Sequence, residues 1–527
     1  MGMAYRFYLL LLVVFSAGVV AGPTISILHT NDLHQSLAPL PALAGYAKAY
    51  KAEHPATVFI DAGDWFDRGS ALCRVTRGEA IYGAMATMGY DMWIVGNHDW
   101  AYGGARLGEL MERYPVPVLG ANLGCTDHPL PTNVLPYLIK ELAGLRVGFF
   151  GITIDSYGQN PKGRPYIHVL EARESTRRAI AELQAQRADL IVAVTHLGFE
   201  RMKHEATRAC PSDVDLAREF PDIDVIVGAH SHTALAEARV REIHAETGVI
   251  VVQAGASGRN MGRLTLEVDP ETRRIVGFAS ELITGEQLQP SCPETAAFIS
   301  EQYAAHMPNA KQVVAALAAP LERHNAGSWY AEFIRGSSAA DLALLPVGAF
   351  DKEPKAFPQG EWTAEQLAGY FFDRYLVTMR VTGKDLLAYL QQPARVHRLN
   401  PLHDQGRPFS EDAIYCAGFA VHFDPTTKDI RIDLEPDREY TLVTPWLHSW
   451  RDLLDGDERG LPPRNRAAAA DPLPGLAHAN RHVLAKTSMQ HVFDAAASKA
   501  LDITRKYADI PAEWLAWKEF YEAERAK

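Results

Sequence analysis

The stretch Ile25-Ser26-Ile27-Leu28-His29-Thr30-Asn31-Asp32-Leu33-His34 runs an apolar segment of strand length directly into a carboxylate and an imidazole. The same pattern recurs through the first half of the chain. Thr57-Val58-Phe59-Ile60 leads into Gly63-Asp64-Trp65-Phe66-Asp67-Arg68-Gly69, and Met92-Trp93-Ile94-Val95 leads into Gly96-Asn97-His98-Asp99. Leu190-Ile191-Val192-Ala193-Val194 is followed by Thr195-His196-Leu197, and Val225-Ile226-Val227 by Gly228-Ala229-His230-Ser231-His232. Two further runs, Val147-Gly148-Phe149-Phe150 and Val249-Ile250-Val251-Val252, lack such a cluster. Short β-branched runs bounded by Gly, Asp or Asn are the pattern of strands covered on both faces. Helix-like segments such as Leu43–Glu53 and Glu171–Arg187 separate them, so Pro23 to Glu286 is expected to be an α/β domain with parallel or mixed sheets. Gly262–Ile283, with Asp269-Pro270-Glu271-Thr272 at its centre, predicts a closing β-hairpin.

The whole chain has 527 residues, 47% apolar and 22% charged, an ordinary globular mixture. At roughly 100–200 residues per domain, that length predicts two to four domains. A net charge of −12 argues against nucleic-acid binding through a basic face, while leaving a local anion site open. Residues 1–22 have the three-part layout of a secretory signal: Arg6, the apolar run Phe7–Phe15, then small residues with a cleavage position after Ala21. The run is shorter than the roughly 20 apolar residues needed to span a bilayer. No later segment approaches a span, and a periplasmic or secreted protein is expected. Cys73, Cys125, Cys210, Cys292 and Cys416 are widely spaced, with no CxxC or zinc-finger spacing, and an odd count leaves at least one thiol outside any intrachain disulfide.

The expected layout is a signal over residues 1–22, a first domain over 23–289, a helical linker over 290–319 and a second domain over 320–527. In the linker, an Ala-rich helical stretch covers Glu294–Met307. The second domain should have helices at Ala326–Ser338 and Thr363–Asp373. Its strands are predicted at Val377–Val381, Ala417–Phe423, Ile430–Leu434 and Tyr440–Thr444, with a loop at Leu461–Asp471 and helix again from His478.

In α/β sheets ligands bind beyond the carboxyl ends of strands, so the five polar clusters should converge on one crevice. Residues i and i+2 of an extended chain share a side, which predicts Asp32 with His34 as one chelating pair and His230 with His232 as another. Asp32, His34, Asp64, Asn97, His196, His230 and His232 together exceed what one tetrahedral zinc takes. They suit two divalent ions sharing one carboxylate, and imidazole, carboxylate and amide ligands without thiolate suit Zn, Mn or Fe. Two such ions roughly 3.5–4 Å apart can activate a bridging water and neutralise charge during in-line displacement at phosphorus. His29 and His54 are read as structural.

The series DxH, GDxxDRG, GNHD, THL and GAHSH resembles the calcineurin-like metallophosphoesterase superfamily. His29–His34, the Gly96–Gly103 block and the long second domain are similar to the secreted 5′-nucleotidase family. The resemblance implies a four-layer α-β-β-α sandwich followed by a smaller α+β domain. It further implies that Asp32, His34 and His232 hold one metal and Asn97, His196 and His230 the other, with Asp64 bridging and His98 as the catalytic imidazole. Mn or Zn are the metals expected. In the 5′-nucleotidases a carboxylate three residues after that histidine orients it, but here the position is Ala101. Asp99 is adjacent and points away on an extended chain, which suggests support behind the ligands. Gly63–Gly69 resembles the motif of the protein phosphatase branch, where the second Asp pairs with the catalytic His and the next Arg grips phosphate. Asp67 is accordingly expected to orient His98, and Arg68 to bind the phosphoryl group.

The second domain resembles the family only in outline. Ala340-Asp341 keeps the start of a segment that in the 5′-nucleotidases continues Asn-x-Gly-Gly-x-Arg, but Leu342–Phe350 has neither the paired glycines nor the Arg. Val381-Thr382-Gly383-Lys384-Asp385-Leu386-Leu387 matches the family's strand-turn-helix. Phe419 and Trp446 are the candidates for stacking a base. The expected activity is hydrolysis of a small phosphate monoester, a nucleotide foremost. The alternatives are a phosphodiesterase, a pyrophosphatase or a thiosulfohydrolase-like enzyme on the same fold, and a non-catalytic binding protein. The intact Asn97-His98 pair argues against the thiosulfohydrolase branch, in which that pair is replaced.

Overall fold

The computed structural model describes residues 22–66, 70–125, 130–154, 168–201, 210–317, 320–346, 356–363, 365–366, 375–391, 396, 399, 414–445, 483–488 and 501–502. All of the predicted signal except Gly22 therefore lies outside the described residues.

Two sheets build the first domain. The seven-stranded sheet runs in the order Ile275–Thr284, Asn260–Val268, Thr24–Thr30, Thr57–Asp61, Met92–Ile94, Val118–Leu119, Val134–Leu135. The five-stranded sheet runs Ile250–Val252, Val225–Val227, Leu190–His196, Leu145–Thr153, Tyr137–Leu142. Neighbours are parallel except at Tyr137–Leu142 and at the hairpin, whose Asn260–Val268 arm pairs antiparallel to Thr24–Thr30.

The two-residue period of a strand divides each core face. Ile25, Ile27, Val58, Ile60 and Ile94 join Phe149, Phe150 and Val192 of the second sheet in one buried cluster. Leu28, Phe59 and Trp93 face the other way, onto Leu43, Ala44 and Ala47 of helix Leu40–Glu53 and onto Ile81 and Met85 of helix Glu79–Ala86. The sheets touch directly at Gly151, where a Cβ would lie 2.4 Å from the Leu119 carbonyl oxygen. Helix Ala172–Ala185 covers the outer face of the second sheet, with Leu183 lying over Gly148. The layering is α-β-β-α, as expected, and the strand ends bearing the polar clusters meet at one rim.

The largest sheet in the described part of the second domain has five strands, in the order Ile414–Ala417, Leu342–Pro346, Glu439–Pro445, Tyr375–Thr382, Val483–Ser488. Helix Arg323–Ser337 buries Ala326, Tyr330, Ala331 and Ile334 in a cluster that is continuous with the first domain. Three elements differ from the sequence reading. The linker is not helical throughout, because Val313–Leu317 pairs antiparallel with Gly360–Thr363. Ala417–Phe423 is two strands, broken at Gly418, whose φ of 88° and approach to the Asp341 carbonyl exclude a side chain. Val483–Ser488, read as helix, is an edge strand on Tyr375–Thr382. In each case a partner distant in sequence decides the local state. Cys73, Cys125, Cys292 and Cys416 are free thiols.

Candidate metal centre

The loops that leave the strands are bound to one another before any ligand is considered. Asp32 N–H donates to Gly63 O at 2.8 Å, His34 N–H to Asp64 O at 2.9 Å, and Gln35 N–H to Trp65 O at 2.8 Å. Asp99 is wholly buried and accepts four backbone N–H groups: Gly96 (2.7 Å), Asp64 (3.0 Å), Trp65 (2.7 Å) and Phe66 (3.1 Å). One carboxylate thus ties the second loop to the third. Gly63 and Gly96 permit the approach, since a Cβ on Gly96 would lie 2.2 Å from Asp64 Oδ1. Asn31 anchors the first loop to the segment after Val252, donating to Gly255 O and accepting from Ala254 N–H at 2.9 Å.

Five of the seven predicted ligands are left-handed: Asp32 (φ 51°), His34 (45°), Asp64 (63°), His230 (76°) and His232 (55°). Such a conformation costs a non-glycine residue about 1 kcal/mol or more, and it persists only where the surroundings over-determine it. The strain is concentrated where the side chains converge.

They converge as two groups. Asp32, His34 and His232 offer ligand atoms within 4.8 Å of one another, and so do Asp64, His196 and His230. In the first group His34 Nε2 is 3.0 Å from His232 Nε2, and Asp32 Oδ1 is 3.4 Å from His232 Nε2. In the second, His196 Nε2 is 3.1 Å from Asp64 Oδ2. Both carboxylates also reach across: Asp64 Oδ2 is 3.9 Å from His34 Nε2, and Asp32 Oδ1 is 3.9 Å from His196 Nε2. The second group is fully buried, whereas the first grades from buried Asp32 to exposed His232.

This arrangement corrects the extended-chain pairing. Asp32 and His34 do share a group, but through left-handed turns rather than an extended strand. His230 and His232 do not share one. Their positive φ values turn His230 toward Asp64 and His196, and His232 toward Asp32 and His34. His34 and His232 thus fall in one group and His196 and His230 in the other.

The donor chemistry fits cations. His196 Nδ1 lies 2.7 Å from the Ala62 carbonyl, so that nitrogen carries the proton, and buried Nε2 makes no hydrogen bond within the described structure. His34 Nδ1 faces Phe66 O at 3.2 Å in the same manner. Burial opposes charge on His196, yet Asp64 and Asp32 raise its pKa to about 10. Burial likewise works against ionised Asp64, but His196, His98 and His34 hold it well below the usual carboxylate range. The two carboxylates therefore draw positive charge to this point, whether a proton or a metal cation. Burial, then the Asp64 charge, lift Asp99 to about 7 against the pull of its N–H donors.

Residues 25–234 match the calcineurin-like phosphoesterase family, and residues 304–449 match the 5′-nucleotidase C-terminal domain family. The chain is a calcineurin-like phosphoesterase followed by a 5′-nucleotidase C-terminal domain. An uncharacterized metallophosphoesterase of Bacillus subtilis, YunD, is 28% identical over 374 residues, covering 68% of this chain and 75% of that protein. A probable 5′-nucleotidase of Treponema pallidum is 28% identical over 282 residues, covering 46% of this chain and 45% of its own length. The chain thus spans less than half of that relative. The 5′-nucleotidase precursor structure from Thermus thermophilus shares the fold, with a TM-score of 0.58 at 21% identity, over 91% of this chain and 97% of that one. The enzyme class is that of a metal-dependent phosphoester hydrolase.

The remaining predicted residues of this phosphoesterase divide as follows. Asn97 is buried beside Gly96, the residue wedged against Asp64 and His196. His98 is half-exposed, donates its backbone N–H to Asp64 Oδ1 at 2.8 Å, and sets its ring edge-on to His34 with centroids 5.1 Å apart. Asp67, Arg68 and Trp446 lie outside the described residues. Phe419 is half-buried against the second-domain core and does not line the cleft at the metal groups. The sequence reading missed the wider frame. Buried Asp61 takes Thr30 Oγ1 (2.6 Å), Gly63 N–H (2.9 Å) and Trp65 Nε1 (2.7 Å), and its only local signal was a carboxylate closing an apolar run. Tyr303 and Glu365, which line the cleft, carried no signal at all.

Proposed function

We propose that this chain hydrolyses phosphate monoesters of small alcohols, with nucleotides the foremost substrates, at two divalent ions. Asp32, His34 and His232 would hold one ion, Asn97, His196 and His230 the other, with Asp64 between them. When bound, such ions, Mn or Zn by donor type, activate water and neutralise charge developing on the phosphoryl oxygens. The observation that carries the reading is the division of the ligands into two groups with Asp32 and Asp64 within 4 Å of both.

The protein's own contribution is position and protons. Asp99 and Asp61 clamp the second and third loops so that Asp64 does not move when charge develops. His98, held by its backbone to Asp64, is assigned the departing oxygen, to which it donates a proton. Asp67 is proposed to orient His98 in place of the carboxylate absent at Ala101, and Arg68 to bind the phosphoryl group. Residues 1–22 are proposed as an export signal, with domains over 23–289 and 320–527 joined by 290–319.

The test is hydrolysis of p-nitrophenyl phosphate, bis-p-nitrophenyl phosphate and a nucleotide panel by protein loaded with Mn or Zn. Turnover of monoesters that chelation abolishes and added metal restores is expected. Preference for the diester would displace the monoesterase reading, and no turnover with any metal would leave a binding protein.

A further inference from the structure

A cleft of about 650 Å³ opens at the exposed metal group, lined by His34 and His232 and also by Ser70, Tyr303 and Glu365. These last three come from separate parts of the chain: the loop after Asp64, the connector helix Pro293–His306 and the start of the second domain. They meet at one oxygen. Tyr303 OH donates to Glu365 Oε1, and Ser70 Oγ lies 3.5 Å from the same atom, at the limit of a hydrogen bond. Glu365 is fixed from behind as well, since its backbone N–H donates to Ala310 O at 3.0 Å. Among the described residues no donor reaches Oε2, and no Lys or Arg lines the cleft.

Resting on the monoesterase reading, we propose that Glu365 is a specificity-determining residue. With phosphate at the metal groups, the leaving alcohol occupies this cleft. A carboxylate only accepts hydrogen bonds, so Oε2 favours an alcohol rich in hydroxyl donors. The same negative charge, with no Lys or Arg lining the cleft beside it among the described residues, opposes a leaving group that carries a further phosphate. The substrate class is therefore the monophosphate of a neutral, polyhydroxylated alcohol such as a nucleoside or sugar.

The experiment compares wild type, Glu365→Gln and Glu365→Ala as full-length, metal-loaded protein on three substrates. These are AMP, ADP (whose leaving group is itself a phosphate) and p-nitrophenyl phosphate, which has no hydroxyl to offer. The glutamine keeps the size and removes the charge. The AMP-to-ADP ratio of kcat/KM should fall about 10-fold or more in Glu365→Gln, with p-nitrophenyl phosphate changing less than about 3-fold. Titration calorimetry with adenosine, which needs no turnover, should show about 10-fold weaker binding in Glu365→Ala. An unchanged ratio, or an equal loss on all three substrates as from a purely structural latch, would overturn the assignment, as would unaltered adenosine binding. Wild-type turnover of p-nitrophenyl phosphate judges the monoesterase reading separately.

Discussion

His196 presents Nε2 to Asp64 Oδ2 at 3.1 Å while its Nδ1 is held by the Ala62 carbonyl at 2.7 Å. The backbone thus chooses the tautomer, and the chosen tautomer aims a lone pair at the carboxylate. Two acceptors at that distance are stable only with positive charge between or upon them. That local requirement, beside the close approach of His34 Nε2 and His232 Nε2 at 3.0 Å, is the physical core of the site.

Asp99 touches the ligands only through their backbone. Asp99→Asn keeps the shape but sets an NH₂ against N–H groups that need an acceptor. Metal affinity is expected to fall by about 10–100-fold, the usual range for lost support behind a ligand. Calorimetric titration of Mn into the metal-free variant and wild type checks this, and equal affinities would remove Asp99 from the account.

Gly96 is needed for its missing side chain. Gly96→Ala places a Cβ 2.2 Å from Asp64 Oδ1, so the loop must shift and metal binding should drop steeply. Gly336→Ala, in helix Arg323–Ser337 with nothing within 4 Å of its added Cβ, is the control and should gain about 0.5–1 kcal/mol. Thermal unfolding and metal titration of both variants separate close approach from a general intolerance of substitution.

His29 lies over Gly262 in the core, and burial lowers its pKa from 6.5 to about 4. The unfolded chain therefore takes up this proton first. The contribution is whole above pH 6.5 and is lost as pH falls from 6.5 toward 4, by about 3 kcal/mol in all. Urea unfolding of metal-free wild type and His29→Leu across that range checks it. The variant should lose less stability on acidification, and parallel curves would contradict the assignment.

The strand ends were legible because the signal is local: an apolar run, then a carboxylate or imidazole. The α/β class with parallel or mixed sheets followed from the same runs, whereas the α-β-β-α layering was implied by the family resemblance. What stayed hidden depends on backbone sign or on distant partners. Nothing in Gly228–His232 announces the positive φ values that send His230 and His232 to different groups. The four N–H bonds of Asp99 come from residues about 30 positions away as well as from Gly96. Val313–Leu317 becomes a strand between Gly360–Thr363 and Leu501–Asp502, and Val483–Ser488 at the edge of the five-stranded sheet, and Glu365 gains its meaning from Tyr303, 62 positions earlier.

The most direct test is elemental analysis of bound Mn or Zn per chain in wild type, His230→Ala and His232→Ala. Two ions per wild-type chain are expected, with each variant keeping about one, since each histidine serves a different group. One ion or none in the wild type, or two retained in both variants, would contradict the two-cation site.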